Sequence, residues 1–134
     1  MSQYRPEEWV LLKMTSPKGE VLYKLFAAWR GGYLDGDSWK LSSNTVKITK
    51  EHVRKMSGGY DVLKMQQESG STYTCYIYGA DHKGQHYGIR GSWLRSVLDG
   101  LKESCALIGV SLEELPWDTD FEKLNLAQPR VATN

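Results

Sequence analysis

The hydrophobic pattern of this chain changes period once. Two-residue alternation dominates up to about Tyr78, and three- and four-residue steps take over after Ser92. Trp9-Val10-Leu11-Leu12-Lys13-Met14-Thr15 is an apolar run that predicts a strand. Ser16-Pro17-Lys18-Gly19 predicts a turn, because Pro presets one dihedral and Gly accepts a positive one. From Glu20 to Arg30 the side chains of Val21, Tyr23, Leu25, Ala27 and Trp29 share one face, and Leu22, Phe26 and Ala28 share the other. A strand apolar on both faces is central or covered on both sides, and these two strands form a hairpin. Asn44 to Lys50 alternates Thr45, Lys47 and Thr49 with Val46 and Ile48, the pattern of a half-exposed strand. Trp39 and Leu41 open a short strand ahead of it, and His52 to Met56 either continues it or forms a separate edge. Tyr60 to Gln67 and Thr72 to Tyr78 predict a further hairpin, with Tyr73, Cys75 and Ile77 facing one way and Thr74, Tyr76 and Tyr78 the other.

Beyond the polar, glycine-bearing segment from Gly79 to Gly91, a helix starts at about Ser92, a residue suited to its N-cap. Leu94, Val97, Leu98, Leu101, Cys105 and Ile108 form its apolar stripe, and Gly109 is its stop. Gly100 inside that helix costs about 1 kcal/mol relative to Ala, so a side chain or strand is expected to pass close to it. Ser111-Leu112-Glu113-Glu114 has capping-box spacing and predicts a short second helix before Pro116. Phe121, Leu124 and Leu126 pin the tail, and residues 128–134 are expected to fray. The expected fold is α+β: an antiparallel sheet of about five strands with one main C-terminal helix packed on a face, in a single domain over 1–127.

Composition narrows the function classes. A chain of 134 residues with 40% apolar positions suits one core, and no run approaches the roughly 18 apolar residues of a membrane helix. The polar start, Met1 to Glu8, has no apolar h-region, which predicts a cytosolic protein. Cys75 and Cys105 are expected as reduced, buried thiols. The net charge of +1 opposes both a DNA mimic, which is strongly acidic, and a phosphate-gripping nucleic-acid binder, which is basic. Five Trp and eight Tyr against two Phe is a bias toward rings with a polar handle, which suit half-buried and interface positions.

The segment from Trp29 to Ser43 sets three glycines, Asp35, Asp37, Tyr33 and two tryptophans between two strands. Glycines at that density build turns, and aromatics there either plug a core or meet a partner. Tyr33, after two glycines, is expected outside, and Trp93, beside the apolar stripe, inside. Tyr33, Trp39, Tyr76, Tyr78 and Tyr87 are the ring candidates for partner binding. If the glycine segment and the Gly79–Gly91 segment share a sheet edge, they form one surface with Arg30, Asp35, Asp37, His82, Lys83, Arg90 and Arg95. Arg90-Gly91-Ser92 with Arg95 offers an alternative site for a small anion such as a nucleotide, at the start of a helix. His82 and His86 have the spacing of helical metal ligands, but Gly84 and Gly88 oppose a helix there, so neither metal nor cofactor is expected. Cys75 with a histidine, or Ser38 beside Asp37, lacks the setting of a nucleophile, so no catalytic residue is assigned.

The stretch Ala28-Trp29-Arg30-Gly31-Gly32-Tyr33-Leu34-Asp35-Gly36-Asp37-Ser38-Trp39-Lys40-Leu41 resembles a segment of small uncharacterised phage and prophage proteins. The resemblance covers about a tenth of the chain and brings no activity. It implies origin in a mobile element, where small proteins often inhibit host machinery such as CRISPR–Cas complexes. The expected function is therefore a non-enzymatic protein-binding module that occludes a host complex in the host cytosol.

Overall fold

A computed structural model describes residues 2–29, 31, 36–55, 58–78 and 87–126. The elements in order are β1 (Gln3–Tyr4), β2 (Glu8–Thr15), β3 (Val21–Trp29), β4 (Ser38–Lys55), β5 (Gly58–Gln67), β6 (Thr72–Tyr78), α1 (Ser92–Leu107), β7 (Ser111–Glu114) and a 3-10 turn, Phe121–Lys123. The fold is α+β, with the seven strands in the order β1-β6-β5-β4-β3-β2-β7. Neighbours pair antiparallel except β1 with β6. His52 belongs to the same strand as Trp39, so the segments expected on either side of Asn44 form one strand, β4.

The sheet curls until its ends approach. β1 pairs with β6 and β2 with β3, yet only residues 5–7 separate β1 from β2. The Trp9 indole N–H on β2 accordingly donates to the Tyr76 carbonyl on β6, at 3.1 Å. β4 turns the corner at two irregularities, one against β3 and one against β5. Buried polar groups carry the hydrogen bonding there: the Ser42 hydroxyl accepts from Leu25 N–H at 2.8 Å, and Asn44 Oδ1 accepts from Tyr23 N–H at 3.3 Å. Thr45 donates to Gln67 Oε1, and Gln67 Nε2 donates to the Met65 carbonyl. Buried backbone polar groups need such partners wherever a bulge interrupts the ladder.

Two apolar clusters follow, one on each face of β2 and β3. Inside the curl, Trp9, Leu11, Tyr23, Leu25 and Ala27 meet Ile48, Leu63, Met65, Tyr73, Cys75 and Ile77, with Phe121 added from the C-terminal segment. Outside, Val10, Leu12, Phe26 and Ala28 are covered by Ile89, Leu94 and Leu98. The two-sided apolar pattern of β3 is thus explained by a sheet on one side and a helix on the other.

Three local expectations are corrected. The N-cap of α1 is Gly91 rather than Ser92. Ser111–Glu114 is a strand, not a helix, pairing with β2 from Thr15↔Ser111 to Leu12↔Glu114. Four residues ahead of a proline are too few to nucleate a helix, whereas the edge of β2 offers backbone partners. Ile108 is 70% exposed and leaves the apolar stripe. Gly109 ends the helix as expected, at φ 79°, with its N–H donating to the Ala106 carbonyl. Both cysteines are free thiols; Cys75 is buried and Cys105 half-buried.

Candidate partner-binding surface

Short hydrogen bonds gather several candidates at one rim of the curled sheet. Register places Glu8 opposite Ala28 and Ala28 opposite Trp39, across β2, β3 and β4. At a strand spacing of about 4.8 Å these backbones span about 10 Å. Glu8 is buried, and its Oε1 accepts the N–H of Arg90 at 2.8 Å and of Gly91 at 3.4 Å. The entry to α1 is therefore tied to the strand that neighbours the glycine segment. That segment closes at its base: a Cβ on Gly31 would lie 1.6 Å from the Gly36 carbonyl oxygen, so the two backbones approach as only glycine permits.

Arg5 extends the rim. Its carbonyl accepts the Trp29 indole N–H at 3.0 Å, and its guanidinium lies 5.9 Å from the centre of the Tyr76 ring. Tyr76 in turn meets Tyr60 at 5.8 Å between ring centres. Trp39 stacks on Phe26 at 5.4 Å with planes 10° apart and keeps 37% of its surface exposed. Asp37 is half-buried and Arg90 is exposed. Arg5 and Tyr60 escaped sequence reading, because no spacing marks a residue that reaches the rim through a carbonyl or a ring contact.

Other candidates serve the fold. Tyr87 turns inward: its hydroxyl donates to the Leu115 carbonyl at 2.5 Å and accepts from Leu11 N–H at 3.3 Å. Its ring packs edge-on against Trp9 at 4.6 Å, and burial pushes its pKa up. Arg95 is committed to Glu114 through both terminal nitrogens and to Asp99 at 3.3 Å. Lys102 also reaches Glu114. Burial works to raise the Glu114 pKa, but the bonds from Arg95 and Lys102 outweigh it and hold the carboxyl below its ordinary value. The helix start thus already carries a protein carboxylate, Glu8, and Arg95 is taken by Glu114 and Asp99. Trp93, expected inside, is 51% exposed. Arg30, Tyr33, Asp35, His82 and Lys83, and the side chain of Tyr78, lie outside the described residues.

Catalytic geometry is thin among the described residues. Cys75 is fully buried and burial raises its thiol pKa well above the ordinary value, which suppresses the thiolate. His52 Nδ1 lies 2.7 Å from Asp61 Oδ1 on the paired strands β4 and β5. No group of three or more His, Cys, Asp or Glu side chains could hold a metal among the described residues. No helix among them is long and apolar enough to cross a membrane. No protein-family model matches the chain, and neither a curated protein nor a solved structure matches it.

Proposed function

We propose that this chain is a non-catalytic protein-binding module of phage or mobile-element origin, which inhibits a host defence complex such as a CRISPR–Cas effector by steric occlusion. One observation carries the reading. The rim sets a half-exposed tryptophan on a rigid stack, Trp39 on Phe26, within a short chain of contacts from Arg90, and the same end holds Arg5 against Tyr76. Trp, Tyr and Arg on stiff supports are the residues that dominate protein interfaces, since they bury much area with little rotamer loss. The phage-like segment at 28–41 contains Trp39, and the resemblance supports the origin.

The test is capture of a host complex from bacterial lysate by the tagged chain, with a plating assay on cells carrying active CRISPR–Cas immunity. The wild-type chain should retain a defined complex and restore phage plating. Trp39→Ala and Tyr76→Ala should lose both while keeping the melting temperature. Capture that is absent, or that survives both substitutions unchanged, overturns the reading.

A further inference from the structure

The near-neutral total charge conceals an uneven distribution. The paired strands β4 and β5 with their turn, residues 38–67, hold six of the 17 basic residues and two of the 16 acidic ones, so they carry +4 and the rest of the chain −3. Leu94 and Leu98 of α1 cover the outward side of β2 and β3, while the outward side of β4, β5 and β6 belongs to neither apolar cluster. Register fixes what stands there. Lys47 lies opposite Gln66, Lys64 lies between Thr49 and Thr74, and Val62 lies between Glu51 and Tyr76. These residues share the outward face, because the positions that alternate with them, Ile48, Leu63, Met65 and Cys75, point into the interior.

Lys47, Lys64 and Tyr76 therefore lie on one diagonal across three strands, in steps of about 7 Å. Arg5 continues the diagonal, with its guanidinium 5.9 Å from the centre of the Tyr76 ring, and Tyr60 flanks it at 5.8 Å between ring centres. Lys47, Lys64 and Arg5 are exposed and make no ion pair among the described residues. Glu51 is the one carboxylate among the described residues of this face, and it stands off the diagonal at a corner. Thr49, Gln66, Thr72 and Thr74 fill the ground beside the lysines. Their hydroxyl and amide groups make no side-chain hydrogen bond among the described residues.

We infer that this face binds single-stranded RNA, with phosphates along the Lys47–Lys64–Arg5 diagonal and bases stacked on Tyr60 and Tyr76. A single strand offers phosphates and unpaired base faces together, and a line of cations beside paired rings is the complement of both. A duplex keeps its base faces stacked on one another, so it would meet the cations alone. An acidic protein surface or an anionic membrane would likewise leave the rings and the hydroxyl row unused. Threonine hydroxyls and a glutamine amide both donate and accept, as the ribose 2′-hydroxyl does, and that group is what separates RNA from DNA. Three cations and two rings make the binding weak and sensitive to salt. The inference goes beyond the occlusion reading and does not rest on it, because RNA binding is measured on the purified chain with no host complex present.

Fluorescence anisotropy with a labelled oligouridylate of about 12 nucleotides tests this, with the chain titrated from about 0.1 to 100 µM in low salt. Binding should saturate in that range, and log affinity should fall against log salt with a slope of about −2, from three cations at about 0.7 each. Lys64→Gln should weaken binding and bring the slope to about −1.4 with the melting temperature unchanged. Lys18→Gln removes an equal charge from the exposed β2–β3 turn and should change neither affinity nor slope. Tyr76→Leu and Tyr60→Leu, checked as folded by circular dichroism, should each weaken binding at least about 5-fold and keep the slope. Oligodeoxyuridylate, which lacks only the 2′-hydroxyl, and duplex RNA of the same length should both bind less tightly. Absence of saturation overturns the inference. So does equal affinity for the DNA strand, the duplex or poly-glutamate, a Lys18→Gln loss matching that of Lys64→Gln, or wild-type affinity in both folded tyrosine variants.

Discussion

Two tryptophans show how differently the molecule uses its interior and its rim. Trp9 is 1% exposed, boxed by Tyr87 and Phe121, and its indole N–H is satisfied by the Tyr76 carbonyl across the curl. Trp39 also lies against a phenylalanine, but it keeps more than a third of its surface in solvent. Position in the strand does not separate them; each is the second residue of its strand, Trp9 in β2 and Trp39 in β4. What separates them is which face of the sheet is enclosed at that point. The interior needs Trp9 to close the space between β2 and β6, whereas α1 covers the Phe26 side and stops short of fully burying Trp39.

That contrast predicts a graded series. Trp9→Ala should cost about 3–5 kcal/mol in urea denaturation, since it opens a large void and leaves the Tyr76 carbonyl without its donor. Glu8→Ala should cost about 1–3 kcal/mol, because the N–H groups of Arg90 and Gly91 lose their acceptor at a buried site. Tyr87→Phe should cost about 1–2 kcal/mol, by removing one hydroxyl that joins Leu11 to Leu115, with the ring packing retained. A smaller effect is expected from pH. The Glu114 carboxyl is held below its ordinary pKa, so its contribution is complete above the unfolded value and is lost as pH falls through the folded one. Glu114→Gln should therefore flatten the acid limb of stability measured by urea midpoint. The smallest change in stability, within about 1 kcal/mol, belongs to Trp39→Ala, whose effect should fall on partner capture instead. A Trp39→Ala loss as large as that of Trp9→Ala would erase the distinction between rim and interior.

Much of the strand order was legible because hairpins are local. The turn at Ser16–Gly19 and the alternation of β5 and β6 place four strands without any long-range contact. The two strands added to the expected five, β1 and β7, are short and have no period of their own; each exists because a sheet edge lies beside it. The same limit explains Trp93. Its neighbour Leu94 is buried, but a stripe narrower than half the helix leaves Trp93 on the boundary, and only the covering sheet decides the side. Of the partner-binding candidates, Trp39 and Arg90 are linked through Ala28 and Glu8, and Tyr76 is met by Arg5, while Tyr87 and Arg95 are drawn into intramolecular contacts.

The sequence by itself determined the class of fold, the hairpins, the buried faces of β3 and the stop of α1 at Gly109. These follow from periods of two and 3.6 residues and from backbone freedom, which act over a few positions. Only the tertiary structure decided the curl, the seating of Glu8 at the helix entry, the strand at Ser111–Glu114 and the inward turn of Tyr87. Each of those depends on partners 17 to 102 residues apart in the chain, as with Leu25 and Ser42 or Leu12 and Glu114, and no local pattern encodes which distant backbone group will need a hydrogen bond.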